Sequence, residues 1–430
     1  MFIYRILWQS KFHFIELWLG YTNTMTALHD KNKTPLYAYV IVICVCMTVF
    51  VGDYSAYQLP PLSHFIIPQL DITDAEFSRL FAAAMIPGVL FCLISGLLCD
   101  KFGTKLTIGV GLAISAIGII GRVFIIDYNS IYASLFLIGI TATFTSANIP
   151  KIIVNWVPPQ KVGLFVGICI SGGPVAMTVA MATTALFPSV KSAFILSAII
   201  CALVLVLWFT FMKEKPKGLG HASQTKAIKE VPLLEGLRIV IRNKYIWMVG
   251  LSSGFMLSAA ISASTFLPRA LQIEKELDAV ASGALTSSIM IGNIIGSIVG
   301  PIICMKVGKM RPILFAGCMI MALGVAFSWN YASGVVLSVC LILTGVAGAS
   351  VLSLLTSSVV LFRGIGPRIA GTAGGFACTI RMILCSTIPP YVIAPIANGD
   401  FTILFIIAGL MAVIAGFISL RILDVYSKKF

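Results

Sequence analysis

Apolar stretches separated by short polar intervals recur along most of the 430-residue chain. About 20 residues at helical rise cross the roughly 30 Å of hydrocarbon in a bilayer. Stretches of that length begin near Leu36, Phe77, Leu106, Ile131, Val162 and Ser192, and six more near Tyr245, Val280, Pro312, Gly334, Ile369 and Phe401. A chain in lipid has no water to satisfy its backbone and must do so within each helix. The pattern therefore predicts an all-α polytopic membrane protein with twelve transmembrane helices. One interval is long. Between Met212 and Asn243 the run of Lys213, Lys215, Pro216, Lys217, Gly218, Gly220 and Pro232 reads as a linker. The predicted order is a leader over 1–35, a six-helix bundle over 36–212, a linker over 213–243, a second six-helix bundle over 244–423 and a tail over 424–430.

Composition agrees with this class, since 59% of residues are hydrophobic and only 11% are charged. The formal charge of +14 alone would suit a nucleic-acid partner, but its placement assigns it to lipid headgroups. With the amino terminus cytoplasmic, the inner segments hold Lys101, Lys105, Lys161, eight Lys/Arg from Lys213 to Lys244, Lys306, Lys309, Arg311, Arg363, Arg368, Lys428 and Lys429. The outer ones hold Arg79, Arg122, Lys191, Arg269 and Lys275, among acids such as Asp71, Asp74, Glu76, Glu274, Glu276 and Asp278. That asymmetry predicts both termini in the cytoplasm of a cell membrane. Glu16 and the aromatics of the leader break any secretory signal, and Met25 opens a shorter leader that we take as the start. Eleven cysteines lack metal-site spacing. Most, including Cys44, Cys92 and Cys378, lie in apolar runs and read as small packing residues, and no cofactor or metal is expected.

The two halves repeat one another. Pro159, Gly163 and Gly167 have counterparts in Pro367, Gly371 and Gly375, 208 residues on, and Lys101 and Gly103 match Lys306 and Gly308, 205 residues on. Such an internal repeat predicts two pseudo-symmetric bundles with a site between them. The loop Gly96-Leu97-Leu98-Cys99-Asp100-Lys101-Phe102-Gly103-Thr104-Lys105 resembles the signature loop of the major facilitator superfamily: a glycine, an acid four residues on, then basic residues around a second glycine. The resemblance covers about Leu36 to Arg421. It implies alternating-access transport, with Gly96, Asp100, Lys101, Gly103 and Lys105 latching the halves on the cytoplasmic side. Gly96 permits close helix approach, Asp100 can sit at a neighbouring helix amino terminus, and Gly103 makes the turn. Met305 replaces the acid in the second half, which is expected to lack a matching latch. Asn148, Pro150, Lys151, Trp156, Pro158, Pro159 and Gly163 further resemble permeases for nitrate, cyanate and organic anions. Nitrate carriers of that group hold a buried arginine in spans two and eight, and this sequence has none there.

Candidate chemistry lies in the few polar residues of the spans. Arg381, about a dozen residues into the eleventh, is the foremost: a guanidinium near midplane needs a wet cavity, an acidic partner or an anionic substrate. By the repeat it stands opposite Gly173. Its natural partner is Asp53, an acid in the first span beside Tyr54 and Tyr57, and a carboxylate between burial and an arginine can take or release a proton as a cavity opens. The alternative for Arg381 is a static pair that stabilises the bundle. Four stripes at helical spacing (Thr141, Thr145, Asn148 and Lys151; Ser258, Ser262 and Thr265; Asn293 and Ser297; Ser350, Ser353 and Ser357) either line a cavity or bond neighbouring turns. Gly163, Gly167, Gly371 and Gly375 read as packing surfaces, and Gly173-Pro174 as a kink or hinge. Arg79, Arg122 and Arg269 lie near the outer boundary, where snorkelling accounts for them, and Lys151 near the inner boundary can do the same.

These readings lead to a secondary active transporter of a small organic or inorganic anion, driven by protons or by exchange. Arg381, Tyr54, Tyr57, Asn148 and Asn293 would meet the substrate and Asp53 is the proton-coupling candidate. The alternative is a proton-coupled exporter of amphipathic compounds. An enzyme is not expected, because the spans hold no histidine, no nucleophile-base pair and no metal cluster. Partners are a small solute and membrane lipid, not nucleic acid, and a monomer suffices.

Overall fold

The computed structural model describes residues 34–72, 74–124, 127–184, 186–214, 233–277, 279–331, 334–362, 365 and 369–424. The leader with Met25, most of the linker and the tail lie outside the described residues. The remainder is helical, without strands among the described residues.

The spanning helices are α1 (Leu36–Tyr57), α2 (Ile86–Phe102), α3 (Thr104–Phe124), α4 (Tyr128–Val154), α5 (Val162–Thr184) and α6 (Val190–Phe211) in the first half. In the second half they are α7 (Lys244–Glu274), α8 (Ala279–Val307), α9 (Arg311–Tyr331), α10 (Gly334–Ser358), α11 (Ala370–Ile388) and α12 (Phe401–Leu420). Eleven are long and apolar enough to cross a membrane by length and composition. The remaining one, α2, has 17 residues and is preceded by the helix Asp74–Ala83. The two pieces are one span, interrupted where Pro87 enters the first turn and cannot continue the ladder from the preceding helix. That makes twelve.

Buried apolar residues gather into two main cores. One runs from Ala38 to Met212 and the other from Val240 to Ile422, and Val360 and Ala370 of the second half insert into the first core. Large apolar side chains such as Ile117, Leu203, Phe327 and Phe417 are exposed on the outside, as a lipid-facing surface requires. One difference from the sequence reading concerns the linker. Its last part is the helix Leu233–Arg242, which buries Val240 in the second core and rests against Ile369 at the start of α11. Composition concealed it, because prolines and lysines upstream set the character of the whole interval.

Arg122 corrects another expectation. It does not snorkel, being 1% exposed. Its Nη1 donates to Ser55 O at 2.9 Å, and its Nη2 donates to Gln58 Oε1 and to Ser197 Oγ, each at 2.8 Å. The guanidinium lies 4.1 Å from the centroid of the Phe194 ring. The cause is local: Ser55 O is among the last carbonyls of α1, which have no partner within their own helix, and a cation at a helix carboxyl end is favourable. Arg122 thus ties α1, α3 and α6 together. We expect Arg122→Met to keep the apolar bulk but strand buried acceptors, at about 1–3 kcal/mol for each that stays unsatisfied, seen as a lower melting temperature of the purified protein. A melting temperature equal to wild type would remove Arg122 from the framework.

Candidate functional site

At one end of the molecule the two halves are joined through Asp100, near the end of α2. The first turn of α11 leaves its backbone N–H groups without a cap from its own chain segment, since the N-cap position is Ile369. Asp100 of the other half supplies the acceptors. Gly371 N donates to Oδ1 at 3.0 Å, and Thr372 N and Oγ1 donate to Oδ2 at 2.6 and 2.5 Å. Lys151 Nζ of α4 donates to Asp100 Oδ1 at 2.6 Å and to Cys99 O at 2.6 Å. The carboxylate is thus held between an ammonium and the positive end of a helix dipole. Close backbone approach makes this geometry possible. A side chain at Gly96 would strike the Gly371 carbonyl, and Gly375 would equally strike Cys92 O.

The rest of the loop is local. Gly103 adopts φ +86° and closes the turn with its N–H on Cys99 O. Lys105 Nζ donates to Phe209 O at 2.9 Å, and Lys101 lies exposed over the Phe102 ring. Lys151 does not snorkel; it is buried in this pair. The sequence did hold the signal, because Asp100 and Lys151 are opposite charges at the same membrane boundary of two spans in one half. Gly167 of α5 meets the Ser297 backbone of α8 as a second contact between halves, and Gly163 is buried at the start of α5.

Farther from Asp100 the halves part around a cavity of about 380 Å³. Gly88 of α2 lines it and lies twelve residues before Asp100, about 18 Å along the helix. Its walls are mostly aliphatic and methionine side chains, with Asp53, Tyr57, Thr143, Ser146, Thr356, Arg381 and Ser386 as the charged and hydroxyl groups. Arg381 is 9% exposed; its Nη1 donates to Thr356 Oγ1 at 3.4 Å, its Nη2 to Cys378 Sγ at 3.1 Å, and its Nε has no acceptor. Asp53 lies against Gly173, where an added side chain would come within 2.7 Å of Oδ2. The glycine that replaces arginine in the repeat thus makes room for the carboxylate. Asp53 and Arg381 share the cavity without forming an ion pair.

Of the other residues singled out in the sequence, Tyr57 lines the cavity and Tyr54, Asn148 and Asn293 do not. Tyr54 is buried in the first half, with its hydroxyl 3.1 Å from Thr183 Oγ1 and its ring stacked on Phe50. Positions 53 and 57 share a helix face, whereas 54 stands about 100° round from 53. Asn148 Nδ2 donates to Ser95 Oγ at 2.8 Å and to Phe144 O at 2.9 Å, binding α4 to α2. Asn293 Nδ2 contacts Met290 Sδ at 3.8 Å, and its backbone lies against Gly345 of α10. In the polar stripes Thr141 donates to Ser115 Oγ and Gly111 O, Ser258 to Gly254 O and Leu384 O, and Ser350 to Gly296 O and Val346 O, whereas the buried Thr145 Oγ1 and Ser353 Oγ have no partner. Leu257 and Ile261 line the cavity beside Ser258 and Ser262. The cavity-lining Thr143, Ser146 and Thr356 were missed because each lies a position or two away from a chosen stripe, and periodicity does not give helix rotation; Ser386, five residues beyond Arg381, carried no signal of its own. Gly173 and Pro174 line the cavity within α5.

Known proteins share this architecture. A family profile described as Major Facilitator Superfamily matches residues 39–389. The hexuronate transporter of Bacillus subtilis (strain 168) is 27% identical over 213 residues, 48% of this chain and 47% of that protein, so the match spans about half the length of that relative. A probable nitrate/nitrite transporter, NarK2, of Mycobacterium tuberculosis (strain ATCC 25618 / H37Rv) is 23% identical over 312 residues, 68% of this chain and 75% of the relative. Among solved structures, FucP in the outward conformation superposes with a TM-score of 0.72 at 14% identity, covering 89% of this chain and 98% of that one. The human organic anion transporter MFSD10 does so at 0.70 and 15%, covering 89% and 99%.

The Asp100 junction makes a direct prediction. Asp100→Ala leaves the buried Lys151 without its counter-charge and α11 without its cap, and is expected to cost about 3–5 kcal/mol. Adding Lys151→Met should recover part of the loss. Thermal unfolding of the single and double variants measures both, and additive losses would show that the pair is not coupled.

Proposed function

This chain belongs to the Major Facilitator Superfamily, and from that premise we propose that it carries a small organic anion by alternating access, with Arg381 as the anion contact. It is a multi-span transporter of a small molecule and not an enzyme. The observation that carries the anion reading is Arg381 itself: a cation at the wall of the cavity, unpaired with any carboxylate among the described residues and with its Nε–H lacking an acceptor. A buried guanidinium left so calls for a negative partner, and a substrate carboxylate supplies it with fork geometry. The printed names of the hexuronate, nitrate/nitrite and organic-anion relatives support the same class.

The walls bear on the rest of the substrate. At about 380 Å³ the cavity has the size of an organic ligand site and far exceeds one nitrate ion. Its few hydroxyl groups suit an apolar body better than a polyhydroxylated one, whose groups would lose water without replacement. Tyr57 and Thr356 flank the carboxylate site in this reading, and Asp53 is the proton acceptor that couples transport. The halves are closed at the Asp100 end. On the positive-inside assignment, with both termini cytoplasmic in a cell membrane, that end is cytoplasmic and the cavity faces outward. One chain holds the cavity, so a monomer suffices. A second reading is export of amphipathic cations with Asp53 as the coupling acid, favoured by the same apolar walls around an unpaired carboxylate.

Thermal stabilisation of purified protein by benzoate, glucuronate, nitrate and a lipophilic cation such as tetraphenylphosphonium separates these readings. A ligand at about a hundred times its Kd adds about 2.7 kcal/mol to apparent stability. We expect benzoate to stabilise wild type and Asp53→Asn but not Arg381→Gln. No response to any anion, with tetraphenylphosphonium stabilising wild type and Arg381→Gln but not Asp53→Asn, would replace this proposal with the second.

A further inference from the structure

Two thiols that the transport reading leaves unused meet across the boundary between the halves. Cys92 of α2 and Cys378 of α11 bring their Sγ atoms to 2.8 Å, and both side chains are buried. All eleven cysteines are free thiols, and these two belong to different halves. They lie one turn from the tight contact between Gly96 and Gly375, so the helix crossing that holds the halves together also holds the sulfurs together. Arg381 Nη2 donates to Cys378 Sγ at 3.1 Å. A void of about 10 Å³, roughly one water in size, is lined by Cys378 and shares Ser146, Thr356 and Arg381 with the main cavity.

We propose that Cys92 and Cys378 are a redox modification site at which hydrogen peroxide forms a disulfide between the halves, holding the Asp100 end closed and stopping the transport cycle. The way in for peroxide is the void that Cys378 lines, which Ser146, Thr356 and Arg381 separate from the cavity. Cys378 lines the void and Cys92 does not, so Cys378 is the sulfur that peroxide meets first, and as the thiolate it attacks. Its electron pair forms an S–O bond to one peroxide oxygen as the O–O bond breaks, and the departing hydroxide takes a proton to become water. Cys378 is then a sulfenic acid. The Cys92 sulfur attacks the Cys378 sulfur, the S–S bond forms and the S–O bond breaks, and the second oxygen leaves as water with the remaining proton. Two thiols lose two electrons, and one peroxide gains them as two waters. A dithiol reverses the bond by exchange.

The lock follows from topology. Alternating access requires α2 and α11 to separate at the Asp100 end as the cavity closes on its present open side. A disulfide keeps its two Cα atoms within about 7 Å and forbids that separation. This consequence rests on the family's cycle and not on the nature of the substrate.

The full chain in detergent, treated with hydrogen peroxide and digested without reductant, should yield a peptide linking Cys92 to Cys378. Cys92→Ser and Cys378→Ser should yield none while keeping the wild-type melting temperature, and Cys92→Ala serves if the serine is not tolerated. Backbone hydrogen exchange over 370–376 should slow at least tenfold in oxidised wild type, recover with dithiothreitol, and be unmoved by peroxide in the Cys92 variant. Thiols that both remain alkylatable after peroxide, or a linked peptide with unchanged exchange, would overturn the proposal.

Discussion

The structure depends on one carboxylate placed where a helix of the other half begins. Asp100 is the last acid of α2 and the first acceptor for α11, so a cap that is ordinarily supplied within a chain segment is supplied across the molecule. The arrangement works only because Gly96, Gly371 and Gly375 let the two backbones touch and because Lys151 balances the charge. The glycines set the crossing and the crossing sets the distance at which a short aspartate reaches two N–H groups. Everything on the far side of that contact is consequence: the halves diverge from it, and the space between them is the cavity.

Much of this was readable in the residues. Span number and the loop motif follow from hydrophobic length and from an acid set between two glycines, features in which a single residue type has few other uses. Asp100 at a helix start was legible because a carboxylate at a membrane boundary has few physical solutions. The cavity was only half legible. Asp53, Tyr57 and Arg381 lie on it because charge and a phenol in an apolar span need somewhere to go, whereas serine, threonine and asparagine find partners in adjacent turns and announce nothing. Thr141, Ser258 and Ser350 are cases in point, each satisfied by a neighbouring carbonyl. Arg122 was misplaced for a related reason: its partners are a carbonyl, an amide and a hydroxyl, none of which marks itself in sequence as an arginine site.

The repeat also explains the asymmetry of the cavity. The repeat sets Gly173 opposite Arg381, and the absence of a side chain at Gly173 leaves room for Asp53 beside it. An acid and a guanidinium therefore face a common space from different halves without pairing. A site of that kind holds its electrostatic bias in the framework and leaves the apolar walls to set the shape of what enters.

The Arg122 cluster has a mechanical side. By fastening the end of α1 to α3 and α6 it stiffens the segment that carries Asp53 and Tyr57, whereas α11 runs from Arg381 into the π-helical turn Pro389–Ile393 and the short helix Ala394–Ala397. A π turn with two prolines lacks the regular ladder and yields more readily to bending. The helix that carries the acid is bonded at its end to two neighbours, and the helix that carries the cation ends in an irregular turn.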